Sequence, residues 1–401
     1  MTAAQEKEVN SIEAAQKRAR VLFESMSLPD PSEESWRKID LGGFEFSAYL
    51  ERSVSSLQVG SVSGNAVCAN FLSNEKSTEA EKSAGAASLL SERLDFDKNI
   101  FVCHNIASLT HGVYITLSPA ANEKSEDAKA LNGYVEISHS LQSGRSLIHR
   151  TVIDVPKNGH LRVLERFQGR PSQETSYWNV GVDVRLGAGA RLDYIVLSDL
   201  NGDEYFFRDF LSRQSADSRL FVGHAMAGGM KGKSLFTAKI LESGAEFRGS
   251  GVFAGSGSDF HDLEMKAEHL ADHSQSSLLY KTVLKDRSHS VFNGNLSILP
   301  GLKHVSSHQV NNNVLLGRKA RAESMPRLVI KADDVRAEHG ATVGELDRDS
   351  LFFLMSRGIP ESEARDLLIQ GFLTQVIDEL PIEEIRGEVL EMLNRRISRG
   401  D

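Results

Sequence analysis

Two cysteines, Cys68 and Cys103, are all that the 401 residues contain. That count excludes a disulfide framework and a cysteine-only cluster site, and leaves buried structural thiols as the expected role of the pair. Apolar runs are short: none approaches the roughly 18 residues that a membrane-spanning helix needs. Nor is there a block of positive charge. With 46 basic and 55 acidic side chains the net charge is −9, which argues against a nucleic acid or an anionic membrane as the main partner. The opening MTAAQEKEVN has neither the apolar core of a secretory leader nor an Arg-rich transit pattern, so a cytoplasmic location is expected. The remainder is an ordinary globular composition, 40% hydrophobic and 25% charged, long enough for roughly two to three domains.

The organisation reads in four parts. Residues 1–45 form an N-terminal helical segment: a helix is expected over 4–26, with Ala14, Ala15, Val21, Leu22 and Met26 among polar neighbours, stopped by Leu28-Pro29-Asp30-Pro31. Residues 46–130 are mixed α/β, with two polar stretches, 73–82 and 122–129, that suit surface. From 131 to 335 short runs alternate apolar and polar residues, as in Val180–Leu186 and Arg191–Leu197, the period of half-buried strands. Similar small-residue turns separate them: Gly187–Ala190, Ser243–Ala245 and Asp286–Ser288. Many short strands with recurrent corners fit a sandwich or a stacked solenoid, and the repeated turn–strand phrase favours the solenoid. A solenoid leaves an open end whose strand edges need a cover, and a second chain is one such cover.

Residues 336–401 read as helical. Asp347 suits the cap of a short helix carrying Leu351, Phe352, Phe353 and Met355, with Gly358 ending it. Pro360 opens a second helix, whose stripe is expected at Ala364, Leu367, Leu368, Gly371, Phe372, Val376 and Leu380. A third begins at Glu383-Glu384 and ends at Arg395-Arg396, complementing its dipole at both ends.

Three motifs invite chemistry. Ala227–Ser234 (AGGMKGKS) matches a relaxed phosphate-loop pattern, but a strand-like run follows where a helix is required, so a turn between strands is expected. The pairs His269/His273 and His304/His308 have a spacing that suits zinc on a helix. On a strand it sets the side chains about 13 Å apart, which points to solvated or structural histidines. His339 lies among small residues where the strands are expected to stop and the helices to begin. Its imidazole is read either as a metal ligand or as a group that fixes the turn between domains.

Lys331–Gly344 (KADDVRAEHGATVG), Leu346-Asp347, Leu351–Phe353, Ser356–Ile359 and Ala364 through Gly371-Phe372 closely resemble the SufB/SufD family of iron–sulfur cluster assembly proteins, most of all its SufD branch. Tyr280–Leu284, Val291–Gly294 and His308–Asn313 also fit, as does Glu34–Arg37 near the start. The resemblance implies a mainly β fold with helical ends, a right-handed parallel β-helix flanked by N- and C-terminal helical domains. It implies a non-catalytic scaffold subunit of a SufBCD-type complex, with no tightly bound cofactor of its own and transient iron or an iron–sulfur cluster in the complex. The implied partners are a SufB-type scaffold, or a second copy, at the β-helix edge, and a SufC-type ABC ATPase at the C-terminal helices. The family histidine proposed as an iron or cluster ligand at the interface falls on His339. The cysteine often found two residues before it is Ala337 here, so most sulfur ligands would come from the partner. The candidate ATPase contact is the helix from Asp347 to Arg357, with Leu351, Phe352, Phe353 and Arg357 as anchors. The alternative from the residues alone is a β-solenoid enzyme, or a homodimeric metal-binding protein, working without an ATPase partner.

Overall fold

The computed structural model describes residues 12–30, 32–50, 57–71, 85–90, 93, 99–118, 132–142, 144–169, 174–200, 204–228 and 231–398. The two polar stretches at 73–82 and 122–129, the first part of the expected N-terminal helix and Pro31 lie outside the described residues.

Among the described residues, eighteen strands form two sheets of nine strands each. From His111–Leu117 onward, successive strands alternate between the sheets and every pairing is parallel, whereas the first two strands, Leu57–Gly64 and Ala66–Asn70, pair antiparallel with their neighbours. This is a β-solenoid, as the turn–strand pattern led us to expect. Alternate residues of each strand point into the lumen. Leu147, Ile153, Val163, Trp178, Val180, Leu192, Val222 and Phe236 belong to its continuous apolar core. A parallel strand covered on both faces reads as a near-continuous buried run, and Ser176–Leu186 is buried at ten of eleven positions.

The recurrent corners are what hold the stack in register. Gly189 (φ +66°), Asp217 (φ +55°) and Gly244 (φ +76°) take the left-handed backbone conformation at equivalent places. Backbone bonds link neighbouring corners, from Gly189 N to Ala216 O at 2.8 Å and from Asp217 N to Ser243 O at 3.0 Å. At Gly189 a Cβ would meet the Asn158 side chain at 2.4 Å, so close stacking and the positive φ both favour glycine there.

The helices used below are α1 (Ile12–Ser25), the single turn α2 (Ser47–Leu50), α3 (Ile100–Ala107), α4 (Arg348–Ser356), α5 (Glu361–Ile377) and α6 (Arg386–Ser398). The N-terminal elements cover the outside of one sheet, where Trp36, Phe44, Tyr49 and Phe101 pack on Tyr177, Tyr205 and Phe207. The C-terminal helices cover the other. There, Ile369, Leu373, Val376, Val389 and Leu393 sit on Ile195, Phe221, Ala225, Val252 and Ala254. Gly223 leaves room for Leu380, whose Cδ2 would stand 2.9 Å from a Cβ at that position.

Three expectations are corrected here. The segment 331–344 is no junction between strands and helices: Asp334–Gly344 is itself the last strand, paired along its length with Lys303–Leu315. The buried stripe of α5 is Ala364, Ile369, Leu373, Val376 and Ile377, while Leu367 is 44% exposed and Gly371 is exposed. The helix turns its Ile369–Leu373–Ile377 side to the sheet, where it packs on the strands Glu246–Gly255 and Gln275–Leu284. The third helix starts at Arg386 after a 3-10 turn over Glu383–Ile385, and Arg396 is bound to Asp259 (Nε to Oδ2, 2.7 Å) besides lying in the last turn.

Candidate functional site

His339 occupies the centre of the last strand of its sheet. Its register partner in Lys303–Leu315 is Gln309, and that strand's lumen-facing positions are Val305, Ser307, Gln309, Asn311 and Asn313. The same column continues through Val335, Ala337, His339, Ala341 and Val343. His339 therefore lies in a lumen-facing column, yet it is exposed because no further turn follows. Around it the surface is small or apolar, with Val343 49% exposed and Val335 and Ala337 packed against the core edge. On the other sheet the last strand is Arg321–Ile330, which exposes Val329 and Ile330. Each sheet thus ends on a strand bonded on one side only among the described residues, a template for further strand pairing.

Charged groups sit on the outer side of this edge. His308 faces Glu338 at 3.7 Å and His304 faces Asp334 at 3.5 Å, all well exposed. His339 belongs to no group of three or more potential metal ligands among the described residues.

The second surface is α4. Asp347 caps it, accepting from Ser350 N at 2.9 Å, and the Ser350 hydrogen bonds hold its carboxyl below the usual range. None of the helix's residues is buried. Phe352 is 73% exposed and Phe353 55%, with the Arg357 guanidinium 5.1 Å from the Phe353 ring centre. Leu351 is half-buried. Two adjacent phenylalanines point on average about 100° apart on a helix, and here neither enters the core.

The remaining candidates resolve into structure. Ala227 ends one strand and Lys231 begins the next. Lys233 is buried, its ammonium bound to Asp262 at 3.0 Å and Glu264 at 3.2 Å, and so is committed to carboxylates instead of a phosphate. His269 is buried between Ser274 and Ser276, and burial pushes its imidazole down to about 4. His273 stacks on His304 at 4.7 Å in an exposed corner. Cys103 is buried and Cys68 half-buried. One group went unnoticed in the sequence: His139, His149 and Glu165 meet inside the lumen. They are 10 and 16 residues apart on three different strands, so no spacing rule joins them.

Residues 137–372, more than half of the chain, match the family model described as SUF system FeS cluster assembly, SufBD core domain. The chain is 27% identical over 256 residues to the iron–sulfur cluster assembly protein SufD of Bacillus subtilis, covering 63% of this chain and 58% of that protein. It is 25% identical over 252 residues to the protein of the same name in Escherichia coli, covering 63% and 59%. A chloroplastic protein of Arabidopsis thaliana, ABCI7, is 27% identical over 243 residues, covering 60% and 50%. The match thus spans less than two thirds of each of these relatives. No helix among the described residues is long and apolar enough to cross a membrane. The solenoid, its open edge and these matches together place the chain in the SufB/SufD family of iron–sulfur cluster assembly proteins, and it most resembles the SufD members.

Proposed function

We propose that this chain is a non-catalytic scaffold subunit in iron–sulfur cluster assembly, pairing with a SufB-type chain through its open solenoid end and docking an ABC-type ATPase through α4. The observation that carries the reading is the exposed inner face of the last turn. A lumen-facing column that stays buried through Gln309 emerges at His339 with apolar and small neighbours. An edge of this kind, with unbonded strand groups and an exposed apolar face, is completed by another chain. The matched relatives are named for iron–sulfur cluster assembly, and a partner solenoid supplies both the missing strand pairing and the sulfur ligands that Ala337 cannot.

In this reading the ATPase hydrolyses ATP, and α4 transmits its movement to the solenoid through α5, which packs on the sheet leading to the open edge. Iron or the nascent cluster is cargo at the interface, and His339 contributes one imidazole nitrogen to it. The test is co-purification of the intact chain with a SufB-type scaffold and an ABC-type ATPase from the same cell. A complex of all three supports the reading. A chain that binds neither, or that forms a stable homodimer through the open end and excludes the scaffold, overturns it.

A further inference from the structure

At the far end of the solenoid from His339, three potential ligands converge in the lumen. His139 lies on Asn132–Leu141, His149 on Ser146–Val155 and Glu165 on His160–Gly169. All three are fully buried. One nitrogen from each ring and one carboxylate oxygen lie within 4.8 Å of one another. Around them lie the apolar side chains of Ile137, Leu147, Val163, Phe167 and Trp178, and the buried guanidinium of Arg208, 4.6 Å from the Phe167 ring centre and close enough for its charge to act on Glu165.

The hydrogen bonds leave one nitrogen of each ring unpartnered. Glu165 accepts from His139 Nε2 at 3.0 Å, from Thr151 Oγ1 at 3.3 Å and from the Tyr194 hydroxyl. His149 Nε2 meets Thr151 Oγ1 at 3.1 Å. Thr151 thus bridges His149 and Glu165. The Nδ1 atoms of both rings are left buried with no hydrogen-bond partner. Buried ring nitrogens without a partner are seldom tolerated in native interiors.

We propose that His139, His149 and Glu165 bind one divalent transition-metal ion of the zinc or ferrous type. Two imidazoles and one carboxylate are a ligand set that both ions accept, and they leave a fourth position for water or the Thr151 hydroxyl. Around an ion at about 2.1 Å, tetrahedral ligand atoms stand about 3.4 Å apart. The His139–Glu165 contact at 3.0 Å is already near that spacing, and rotation of a ring closes a separation of 4.8 Å. Thr151 and Tyr194 act as the outer partners that orient the carboxylate. Full burial means that the ion enters while the chain folds. This inference does not depend on the scaffold reading.

The test is elemental analysis of the full chain purified without chelator from cells grown with added zinc, or anaerobically with added ferrous iron. Growth with cobalt gives a second readout, a visible ligand-field absorption. About one ion per chain is expected. His149→Ala and Glu165→Gln lower metal affinity by at least about 100-fold, since loss of even an outer partner costs about 10–100-fold. His224→Ala, which removes another buried lumen imidazole, retains the metal. A wild-type chain with only trace metal and no cobalt absorption overturns the proposal by itself, whether or not the variants fold. So does wild-type metal content in folded His149→Ala and Glu165→Gln.

Discussion

His339 stands directly beside Gln309 in register on the final strand of its sheet, at the exposed end of a column that is buried from Val135 to Gln309. Gln309 is only 3% exposed, and neither atom of its side-chain amide has a hydrogen-bond partner. Its neighbour Asn311 bonds back to Tyr280 O, and Asn313 reaches forward to Thr342 O at 3.1 Å. The last strand therefore lies over polar groups.

His339→Ala removes an exposed side chain with no hydrogen bond of its own to lose. Stability is expected to stay within about 0.5 kcal/mol of the parent. Assembly with a SufB-type partner is retained, and the cluster yield of the reconstituted complex falls. Full yield in reconstitution removes the ligand role from His339.

Val343→Asp places a charge on the inner face of the last turn, four residues beyond His339. In the isolated chain Val343 is half exposed, so urea unfolding shifts little. Burying an unpaired carboxylate in an interface is costly, and capture of the SufB-type partner is expected to weaken by more than about tenfold, a difference of about 1.4 kcal/mol. Undiminished capture would place the interface elsewhere.

Phe352→Ala with Phe353→Ala removes the two most exposed aromatics of α4. Neither side chain is in the core, so the solenoid and α5 remain folded by circular dichroism. Affinity for the ATPase, measured by titration calorimetry, falls by the about 2 kcal/mol or more expected of an anchoring aromatic. Leu373→Ala makes the contrast. It opens a cavity under α5 and costs about 2–5 kcal/mol of stability.

Acid destabilises this fold through its buried imidazoles. Burial pushes His104 and His261 down to about 3 and His269 to about 4. Their folded values lie below the unfolded one, so the stability they support is complete above about pH 6.5 and is lost as the pH falls below it. At pH 5 these three side chains are neutral when folded and charged when unfolded. Unfolding then takes up about three protons from them, a slope of about 4 kcal/mol per pH unit. Urea titrations at pH 7, 6 and 5 read this directly, and His261→Gln is expected to reduce the slope by about one proton. A flat profile would mean that these rings ionise inside the fold.

Much of the architecture was legible in the residues. Val180–Leu186 and Arg191–Leu197 alternate with the strand period, and Gly189 and Gly244 mark corners that recur because each must take a positive φ while stacked on its neighbour. The Asp347 cap was legible for the same local reason: a carboxylate three residues before Ser350 satisfies an end-of-helix amide. Family resemblance, carried by Lys331–Gly344 and Ala364–Phe372, singled out His339 and α4.

Other features are set by packing over long sequence distances. Residues 331–344 resemble a linker because glycine, alanine and charge interrupt any alternation, yet pairing with Lys303–Leu315 makes a strand of them. The face that α5 buries was misread because the helix carries apolar residues all round, at Leu367, Leu368, Ile369, Phe372 and Leu373. Only the sheet beneath, at Glu246–Gly255 and Gln275–Leu284, selects one face. His139, His149 and Glu165 meet because each turn of the solenoid brings residues distant in sequence to one level of the lumen. The sequence by itself determined the period, the corners and the caps, since these are decided within a few residues. The tertiary structure decided which strand comes last, which face of a helix is covered and which side chains share the interior, because each depends on what stacks above and below.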